Sequence, residues 1–581
     1  AAGRGSEAAP GHRFGWTAAG RSDGSAPHTV SFVMRPRDLA RLEALALNLT
    51  DPSSPHYRKW LSREEVRSLT RNEEGLSALR AVLRNHLDVE ISFEALGGEL
   101  LQARAPVATW ERLLSTELHV YNHPERNETI FRAEKYLLPE ALHDHVSGVL
   151  GVVDFESVLP PKSLHGVDRE MDKVRAGLRE ELGWNSFSAL NEDLGPPLVS
   201  PPKLRQMYGL PPVAERGTDL QAERSRVTQV VYASLEQHWS PSDRMAFEAA
   251  FGIPQDRSVR QVFGDDKAVL DDECARDPRL CDEANLDVQY IMSMAPWAQM
   301  EFWYQPRSKQ GRDLTDFLTE FSKRFLGMED APDVISISYG MPEIGVTKTS
   351  AVLFDNMAMK LALQGVTILV ASGDDGAAGS LARTRRHGKE CWFVDAGYGL
   401  QATWPASSQW VTSVGAVVGA ATGLPDIVCS VNATGPSAGE GDILITSGGG
   451  FSRIWRRPAW QEGHQDNIGR GVPDIALVGH AFSVVIGGRW LSVDGTSAST
   501  PALAGMVNIL NSELKADGMP TVGFLNPLLY QSAPRSAFFD VTEGDNRCAA
   551  FGAPCCGGFD AGPGWDPVTG LGVPDYAKLR A

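Results

Sequence analysis

Hydrophobic and polar positions alternate in two different ways along the chain, and the change of pattern divides it into parts. Up to about residue 150, strand-like runs alternate with runs that carry apolar residues at helical spacing. Strands are predicted in HTVSFVMR and LHVYNH, and helices in RDLARLEALALNL, EEGLSALRAVLRNHL and PEALHDHVSGVLGVV. This front part is therefore predicted to be a compact α+β unit.

After about residue 200 the pattern changes to short, wholly apolar runs separated by helical segments and Gly-rich turns. The runs RVTQVVYAS, DVISISYG, GVTILVASGDDGAAG and WVTSVGAVVG are typical of parallel strands that are buried on both faces. A helical run, SAVLFDNMAMKLALQ, precedes one of these strands. The alternation predicts an α/β domain with a doubly wound parallel sheet, in which binding sites lie at the carboxyl ends of strands.

A charged and Pro-rich segment separates the two patterns. VDREMDKVRAGLREELG is followed by LGPPLVSPPK, which predicts an exposed connection of the kind that proteases cut. We therefore predict three parts, which are residues 1–160, 161–199 and 200–581.

Composition excludes some classes of protein. The 581 residues carry 55 Lys and Arg against 73 Asp and Glu, a net charge of −18, which argues against binding to nucleic acids or other polyanions. No apolar run approaches the roughly 18 residues that span a bilayer. The chain begins AAGRGSEAAPG, without an initiator Met or an apolar segment, so we expect that any targeting peptide has been removed.

The cysteines indicate an oxidising compartment. They lie in Gly- and Pro-rich, loop-like stretches, which favours disulfides over buried thiols, and their odd number leaves one unpaired: Cys274, Cys281, Cys391, Cys429, Cys548, Cys555 and Cys556. The spacing disfavours zinc. Three N-x-[ST] sequons, at Asn48, Asn127 and Asn432, suit the secretory pathway.

The stretch SVDGTSASTPALAG, from Ser492 to Gly505, is the first candidate for chemistry. A serine, Ser497, in a Gly-flanked turn that leads into a helix is how subtilisin-like hydrolases present a nucleophile. Their base is a histidine in an upstream Gly-rich turn. None of the 13 histidines has such a setting, so another base is needed.

Carboxylates are the candidates for that base. CDEANLDVQYIMSM places Glu283 and Asp287 four residues apart, on one face of a predicted helix, although this spacing is more often a solvated surface. A protonated Asp374 in the turn of ILVASGDDGAAG could donate a hydrogen bond to an oxyanion. The alternatives are an ordinary Asp-Gly turn or the same role for Asp375.

Glu283-x-x-x-Asp287, Ser372-Gly373-Asp374 and Gly495-Thr496-Ser497 occur in an order that resembles the sedolisin family of serine-carboxyl peptidases. The resemblance implies a subtilisin-like fold with a Ser-Glu-Asp triad. Ser497 would be the nucleophile, Glu283 the general base and acid, Asp287 its partner and Asp374 the oxyanion donor.

The resemblance runs nearly end to end, through SLEQHW, SISYG, WPASSQWVTSVG, SGGGFS and GWDPVTGLG. It implies that the front part, which contains DPSSPHYRKWLSREEV, is an inhibitory activation prodomain with a ferredoxin-like fold. Cleavage is expected near Leu194 to Ser200, by the enzyme itself at low pH. Protonation of carboxylates that pair across the prodomain interface would weaken its hold.

A structural calcium ion is also implied near the C-terminus. FFDVTEG and AGPGWDPVTG resemble the family's calcium loop, in which side-chain oxygens of Asp540 and Asp566 and carbonyls of Val541, Gly562 and Gly564 bind one ion. An oxygen set of this kind suits calcium. The alternative is a pair of Gly/Asp turns without an ion.

The chain departs from the family in two places. A basic insertion follows Asp374 and precedes Cys391, and Met341 and Pro342 stand where tripeptide-releasing members have an acidic pair near the substrate amine.

The cysteines allow several pairings. Cys274 and Cys281 could close a small loop. Cys548, Cys555 and Cys556 match three cysteines of the relatives, which implies two bridges, one of them to Cys391 or Cys429.

Three functions follow from the resemblance. The chain is expected to be an acid-activated zymogen that releases tripeptides from free N-termini of peptides and unfolded proteins. A sedolisin-type endopeptidase and a catalytically silent peptide-binding relative are the alternatives. The expected location is the lysosome or another acidic endomembrane compartment, or outside the cell.

Overall fold

The computed structural model describes residues 6–9, 15–123, 127–155, 199–211, 227–255, 259–264, 271–306, 313–326, 331–383, 389–438, 443–552 and 554–580. Residues 156–198 lie outside these ranges. Most of the predicted linker and of the predicted cleavage region therefore lies outside the described residues.

The N-terminal part, residues 6 to 155, is an α+β unit. Its strands are β1 (Ser6–Ala8), β2 (Thr17–Arg21), β3 (Pro27–Met34), β4 (Glu90–Glu94), β5 (Leu100–Pro106), β6 (His119–His123), β7 (Glu128–Arg132), β8 (Lys135–Leu137) and β9 (Val146–Leu150). Its helices are α1 (Leu39–Thr50), α2 (Arg63–Thr70), α3 (Glu73–Arg84) and α4 (Val107–Leu113).

The main sheet of this part has the order β4-β5-β3-β9, and every neighbouring pair is antiparallel. Helices α1 to α3 lie between β3 and β4 in the chain, and α4 lies between β5 and β9. This order and connectivity are those of the split βαβ, ferredoxin-like arrangement, so the predicted fold of this part is confirmed.

The helix predicted in PEALHDHVSGVLGVV is wrong. Only Glu140–Leu142 forms a short 3-10 turn, and Val146–Leu150 is the strand β9, which pairs with β3. Val149 packs in the N-terminal core, whereas Leu150 packs in the core shared with the larger part. A strand that is buried on both faces gives an apolar run that periodicity cannot distinguish from a helix.

The larger part, residues 199 to 580, is the α/β domain. Its strands are β10 (Thr228–Ala233), β11 (Val259–Phe263), β12 (Gln299–Tyr304), β13 (Val334–Ile337), β14 (Met341–Pro342), β15 (Thr367–Ala371), β16 (Thr403–Trp404), β17 (Thr412–Val418), β18 (Ile427–Val428), β19 (Gly450–Arg456), β20 (Gly469–Val472), β21 (Ile475–Val478), β22 (Phe482–Ile486), β23 (Arg489–Val493), β24 (Phe538–Phe539) and β25 (Val573–Pro574).

Eight of these strands form the central sheet. Its order is β11-β12-β10-β13-β15-β17, and β17 pairs with both β21 and β18. Every pairing in it is parallel except that of β17 with β18. The four apolar runs selected from the sequence form β10, β13, β15 and β17, so the predicted parallel sheet is confirmed.

Helices connect these strands and cover the sheet. They are α5 (Pro201–Met207), α6 (Pro241–Ala250), α7 (Asp271–Arg276), α8 (Asp282–Met294), α9 (Asp313–Phe321), α10 (Lys348–Ala362), α11 (Trp392–Asp395), α12 (Thr496–Ala516) and α13 (Tyr576–Arg580). The predicted helix α10 begins after Thr347, whose side chain accepts a hydrogen bond from the Ser350 amide. Helix α12 packs against β13, β15 and β17, beneath the sheet centre.

The two parts share a hydrophobic core and a buried ion pair. Leu42, Ala46 and Leu49 of α1 belong to the same cluster of buried residues as the central sheet. The Lys360 ammonium of α10 lies 3.1 Å from the Glu99 carboxylate of the N-terminal part, and both side chains are at most 3% exposed. A charge buried this deeply is tolerated because its partner lies on the other unit.

An aromatic anchor makes a second contact between the parts. The Trp60 ring lies in a slot formed by Gly365 and Gly523, where an added Cβ would come within 2.4 Å and 2.5 Å of the ring. The indole N–H donates to the Thr521 carbonyl at 3.0 Å, and the Leu61 amide donates to the Leu363 carbonyl at 2.9 Å. Glycine at both positions is therefore required by the close approach of Trp60.

Three disulfides link Cys274 with Cys281, Cys391 with Cys556, and Cys548 with Cys555. The small loop and the two C-terminal bridges expected from the sequence are confirmed, and Cys391 rather than Cys429 is the distant partner. Cys429 is buried and forms no disulfide with another described cysteine. Among the described residues, no helix is both long and apolar enough to cross a membrane.

The buried ion pair generates a prediction. Lys360→Met leaves the Glu99 carboxylate buried without a cation, so the free energy of unfolding of the full chain should fall by about 3–5 kcal/mol. Urea unfolding at neutral pH measures this change. The double variant Lys360→Met/Glu99→Gln removes the uncompensated charge and should regain most of the loss. Equal stability of Lys360→Met and the unmodified chain would contradict the assignment.

Candidate active site

Two helices of the larger part bring the predicted carboxylates and the predicted serine together. Glu283 and Asp287 lie one turn apart on α8, and they are 3% and 0% exposed. Ser497 lies in the first turn of α12, in the same cleft as Glu283, and its hydroxyl is close enough to the Glu283 carboxyl to lower the pKa of that group. The i,i+4 pair is therefore a buried feature and not a solvated helix face.

A glycine allows this approach. A Cβ at Gly505 of α12 would lie 2.4 Å from the Cβ of Met294 and 3.1 Å from the Ile291 carbonyl oxygen. Ala498 and Ala502, on the same helix, are fully buried. Because small residues line this face, the two helix backbones come close enough for the Ser497 hydroxyl to reach Glu283.

Neighbouring polar groups orient the two carboxyls. The Glu283 backbone amide donates to the Gln237 side-chain oxygen at 3.0 Å and to Asp282 at 2.9 Å. The Ser338 hydroxyl donates to Asp287 Oδ1 at 2.9 Å. Ser338 follows β13, at the carboxyl end of a central strand, where binding groups are expected in such sheets. The sequence pattern predicted strand β13 but did not indicate a role for Ser338.

The environment raises the pKa of both carboxyls. Burial, followed by the charge of Asp287, raises the pKa of Glu283 well above its ordinary value of 4.5, although the Ser497 hydrogen bond opposes the shift. Burial raises the pKa of Asp287 well above 3.8. Glu283 Oε1 and Asp287 Oδ2 are buried and have no hydrogen-bond partner among the described residues. One proton held by the pair removes the repulsion between them.

Asp374 approaches the serine from the other side. It lies in the turn that follows β15, and its Oδ1 accepts hydrogen bonds from both the Thr496 amide and the Thr496 hydroxyl at 2.8 Å. The backbone before Asp374 is held by Gly448, whose amide donates to the Gly373 carbonyl at 2.7 Å. A Cβ at Gly448 would lie 2.3 Å from the Ser372 carbonyl, so SGGGFS needs this glycine.

Asp375, the alternative to Asp374, has a different environment. Its Oδ2 lies 3.0 Å from the Arg383 guanidinium, and its Oδ1 accepts from the Ala550 amide at 3.2 Å. Asp374 is therefore the acid that contacts the residue preceding Ser497, and Asp375 is the partner of an arginine.

Ser497, Glu283 and Asp374 line one cleft with a volume of about 130 Å³. Its other polar lining residues are Ser234, Ser338, Asp375, Ser380, Arg383, Thr403 and Thr496, and its apolar walls include Leu314, Phe317, Ile337, Met341, Pro342, Ala371, Trp404 and Pro405. The described lining includes no histidine and no residue of the N-terminal part. The base available to Ser497 there is a carboxyl.

Met341 and Pro342 lie in the cleft wall as the short strand β14, which pairs with β16. The carboxyls that line the described cleft are Glu283, Asp374 and Asp375. Each of them already contacts Ser497, Thr496 or Arg383. No further carboxyl lines the described part of the cleft.

The predicted calcium ligands also converge. The Gly564 amide donates to Asp540 Oδ2 at 2.8 Å, and the Gly562 amide donates to Asp566 Oδ2 at 3.2 Å, so both carboxylates lie on one short loop. Burial raises the pKa of Asp566 to about 6. The described residues contain no cluster of three or more His, Cys, Asp or Glu that could hold a metal, and the expected set relies on carbonyls instead. Two carboxylates that contact one Gly-rich segment are oxygen ligands of the kind that a hard cation prefers.

Comparison with known proteins defines the class. Residues 14–155 match the Pro-kumamolisin activation domain family, and residues 294–543 match the Subtilase family. The chain is 30% identical over 97% of its length to tripeptidyl-peptidase 1 of Homo sapiens and of Macaca fascicularis, and the match covers 93% of each relative. The chain therefore belongs to the sedolisin family of serine-carboxyl peptidases, and it is a serine protease in precursor form.

A solved structure of Pseudomonas sedolisin, a serine-carboxyl proteinase complexed with two molecules of pseudo-iodotyrostatin, is also similar. It is 23% identical, covers 66% of this chain and 96% of its own, and has a TM-score of 0.47.

The buried carboxyl pair generates a pH prediction. Because the folded-state pKa values of Glu283 and Asp287 lie above the ordinary values of 4.5 and 3.8, the folded chain binds more protons than the unfolded chain in this region. The contribution of the pair to stability is present at low pH and is lost as the pH rises through the raised values. Asp287→Asn should make the free energy of unfolding fall less steeply with rising pH.

Urea unfolding across the acidic to neutral range measures this slope, in a Ser497→Ala background that prevents self-cleavage. Asp395→Asn removes an exposed carboxyl and is the surface control. A slope unchanged by Asp287→Asn would contradict a coupled buried pair.

Proposed function

We propose that this chain is the zymogen of an acid-activated peptidase that releases tripeptides from free N-termini through Ser497, Glu283, Asp287 and Asp374. The observation that carries the proposal is that the Ser497 hydroxyl lines the same cleft as Glu283, a buried carboxyl whose pKa is raised. A carboxyl with a raised pKa accepts a proton more readily than an ordinary one, which suits a general base.

In the proposed reaction, the ionised Glu283 takes the hydroxyl proton as Ser497 Oγ attacks the scissile carbonyl carbon. Asp287 shares a proton with Glu283 and holds it in position. Glu283 then gives its proton to the leaving amine, and the acyl-serine remains. A water molecule repeats these steps, with Glu283 first accepting its proton and then returning one to Ser497 Oγ.

Asp374 would stabilise the oxyanion. Its carboxyl is fixed by Thr496, the residue before the nucleophile, at the edge of the same cleft. As a protonated acid it can donate its O–H to the developing negative charge, which a carboxylate would repel.

Tripeptide release is supported by the 30% identity to tripeptidyl-peptidase 1 along almost the whole chain. An endopeptidase is the second candidate, because Met341 and Pro342 form an apolar wall and the lining carboxyls described already have partners. An exopeptidase needs negative charge for the substrate α-ammonium. A catalytically silent relative is disfavoured, because Ser497, Glu283 and Asp374 line one cleft and Asp287 lies one helical turn from Glu283.

The proposed division is a prodomain over residues 1–160, a linker with the cleavage region over 161–199, and a catalytic domain over 200–581. The prodomain is the intramolecular inhibitor. Not every carboxyl at its interface favours acid release. Burial raises the pKa of Glu7, which accepts a hydrogen bond from the Thr349 amide at 3.0 Å. Glu7 therefore holds a proton better when docked, and falling pH strengthens its contact.

The Glu99–Lys360 pair is a second charged contact of the prodomain with the catalytic domain, and Lys360 is 3% exposed. Separation of the two parts would leave neither charge with its buried partner.

The proposed calcium site comprises the Asp540 and Asp566 carboxylates and the carbonyls of Val541, Gly562 and Gly564. When bound there, the ion would supply a fixed positive charge and no catalytic step. These residues would join the segment after β24 to the loop before β25. The ion is thus proposed to be structural.

An acidic endomembrane compartment, such as the lysosome, or the outside of the cell is the proposed location. The three disulfides support an oxidising route of synthesis. All three sequon asparagines, Asn48, Asn127 and Asn432, are exposed, and Nδ2 of Asn432 lies 2.7 Å from Cys548 Sγ.

The substrate proposal predicts a product pattern. Acid-incubated full chain is given a decapeptide with a free N-terminus and the same peptide acetylated, and the products are identified by mass spectrometry. Successive losses of three residues from the free peptide alone are expected. Internal cuts in both peptides would support the endopeptidase, and Ser497→Ala controls for contaminating proteases.

The calcium proposal predicts a gain in stability. Free calcium at a hundred times its Kd should stabilise the full chain by about 2.7 kcal/mol relative to chelator. Thermal unfolding with calcium and with chelator measures it. Asp540→Ala should abolish the difference, whereas Asp560→Asn, which alters an exposed Arg547 pair in the same segment, should keep it. No calcium effect in the unmodified chain would contradict the site.

A further inference from the structure

One wall of the cleft carries a cation that the proposed chemistry does not use. Arg383 ends the 3-10 stretch Gly376–Arg383, and this stretch lines the cleft together with Gly340, Met341 and Pro342. The two segments touch, since a Cβ at Gly379 would lie 3.6 Å from Cγ of Pro342. Arg383 therefore stands on the same wall as β14.

The guanidinium of Arg383 is held in place by a buried acid. Its Nη2 lies 3.0 Å from Oδ2 of Asp375, and Asp375 is 4% exposed while the arginine side chain is 32% exposed. Asp375 is in turn fixed by the Ala550 amide at 3.2 Å. An arginine oriented in this way loses little further conformational entropy when a ligand binds.

Arg383 lines the cleft and its side chain is 32% exposed, so donors beyond the ion pair are accessible to a ligand there. A guanidinium has five N–H groups, and the ion pair with Asp375 occupies one terminal nitrogen. Among the described residues that line the cleft, Arg383 is the one with a permanent positive charge. The other lining carboxyls, Glu283 and Asp374, contact Ser497 and Thr496. The group that matches the open donors of Arg383 is a carboxylate, which guanidinium binds through two parallel hydrogen bonds.

We propose that Arg383, positioned by Asp375, is a substrate-binding residue that selects a carboxylate of the peptide, supplied either by an Asp or Glu side chain or by a free C-terminus. The subsite rests on the proposed function in one respect, which is that the cleft holds a peptide. The subsite predicts that the preferred substrates are peptides with an acidic side chain near the scissile bond, or peptides short enough for their C-terminal carboxylate to reach Arg383. Arg383 would then contribute to substrate specificity.

Matched peptides test the subsite at about pH 5.5, where a Glu side chain is ionised. Pairs differ by Glu against Gln at one position on either side of the scissile bond, and a further pair differs by a free or amidated C-terminus. A hydrogen bond to a charged group predicts that kcat/KM favours the carboxylate by roughly ten- to a hundredfold in at least one pair. A Glu/Gln preference identifies the side chain as the source, and an acid/amide preference identifies the C-terminus.

Variants connect the preference to Arg383. Arg383→Met/Asp375→Asn removes the pair without leaving a buried charge, and it should bring the preference ratio close to one. Arg383→Lys keeps the charge but loses the two-pronged geometry, so it should keep a reduced ratio. Arg489→Met, at an exposed arginine of the β22–β23 hairpin, is the matched control and should keep the full ratio. A ratio near one in the unmodified chain, or a ratio unchanged in the double variant, overturns the proposal.

A binding measurement separates this subsite from the proposed catalysis. Fluorescent Glu and Gln peptides are titrated with full-chain Ser497→Ala, and their Kd values are compared. Tighter binding of the Glu peptide supports the subsite, whether or not the unmodified chain cuts any peptide. A failure to cut any peptide would contradict the proposed function but not the subsite. Equal Kd values for all pairs overturn the subsite, whatever the activity.

Discussion

The close packing of α8 against α12 is the constraint on which the site depends. Gly505 lets the two helix backbones approach, and that approach puts the Ser497 hydroxyl on the Glu283 carboxyl. The same contact excludes water from Glu283 and Asp287 and so raises both pKa values. The packing of α8 against α12 thus determines both the position of Ser497 beside Glu283 and the raised pKa of the proposed carboxyl base, which needs no histidine.

The rest of the larger domain fixes the other half of the site. The turn after β15 presents Asp374 to Thr496, and Gly448 holds that turn from the opposite side. The N-terminal unit contributes no described residue to the cleft, yet it shares a core with the catalytic domain through α1, Trp60 and the Glu99–Lys360 pair. These described contacts between the two parts therefore lie outside the lining of the cleft that holds Ser497.

The parallel strands, α10 and the order of the candidate residues were predictable, because apolar runs and helical spacing are local properties. The helix predicted across Val146–Leu150 was wrong, because burial on both faces comes from a second unit that the local pattern does not reveal. Spacing likewise could not tell a buried Glu283–Asp287 pair from a surface pair, nor Asp374 from Asp375. These distinctions arise from contacts with Ser497, Thr496 and Arg383, which are distant in the chain. Ser338, Gln237 and Gly505 had no local signal at all.

The central claim is that Glu283 and Asp287 hold one proton between them beside Ser497. Infrared difference spectroscopy of the full chain at neutral pH tests this claim directly. Both proteins carry Ser497→Ala, and the spectrum of the one that also carries Asp287→Asn is subtracted from the spectrum of the other. The account predicts a protonated carboxyl band that changes on this substitution and again on Glu283→Gln, because burial and repulsion keep the pair from ionising fully. A spectrum in which neither substitution alters a protonated carboxyl would mean that both groups are ionised, and it would contradict the account.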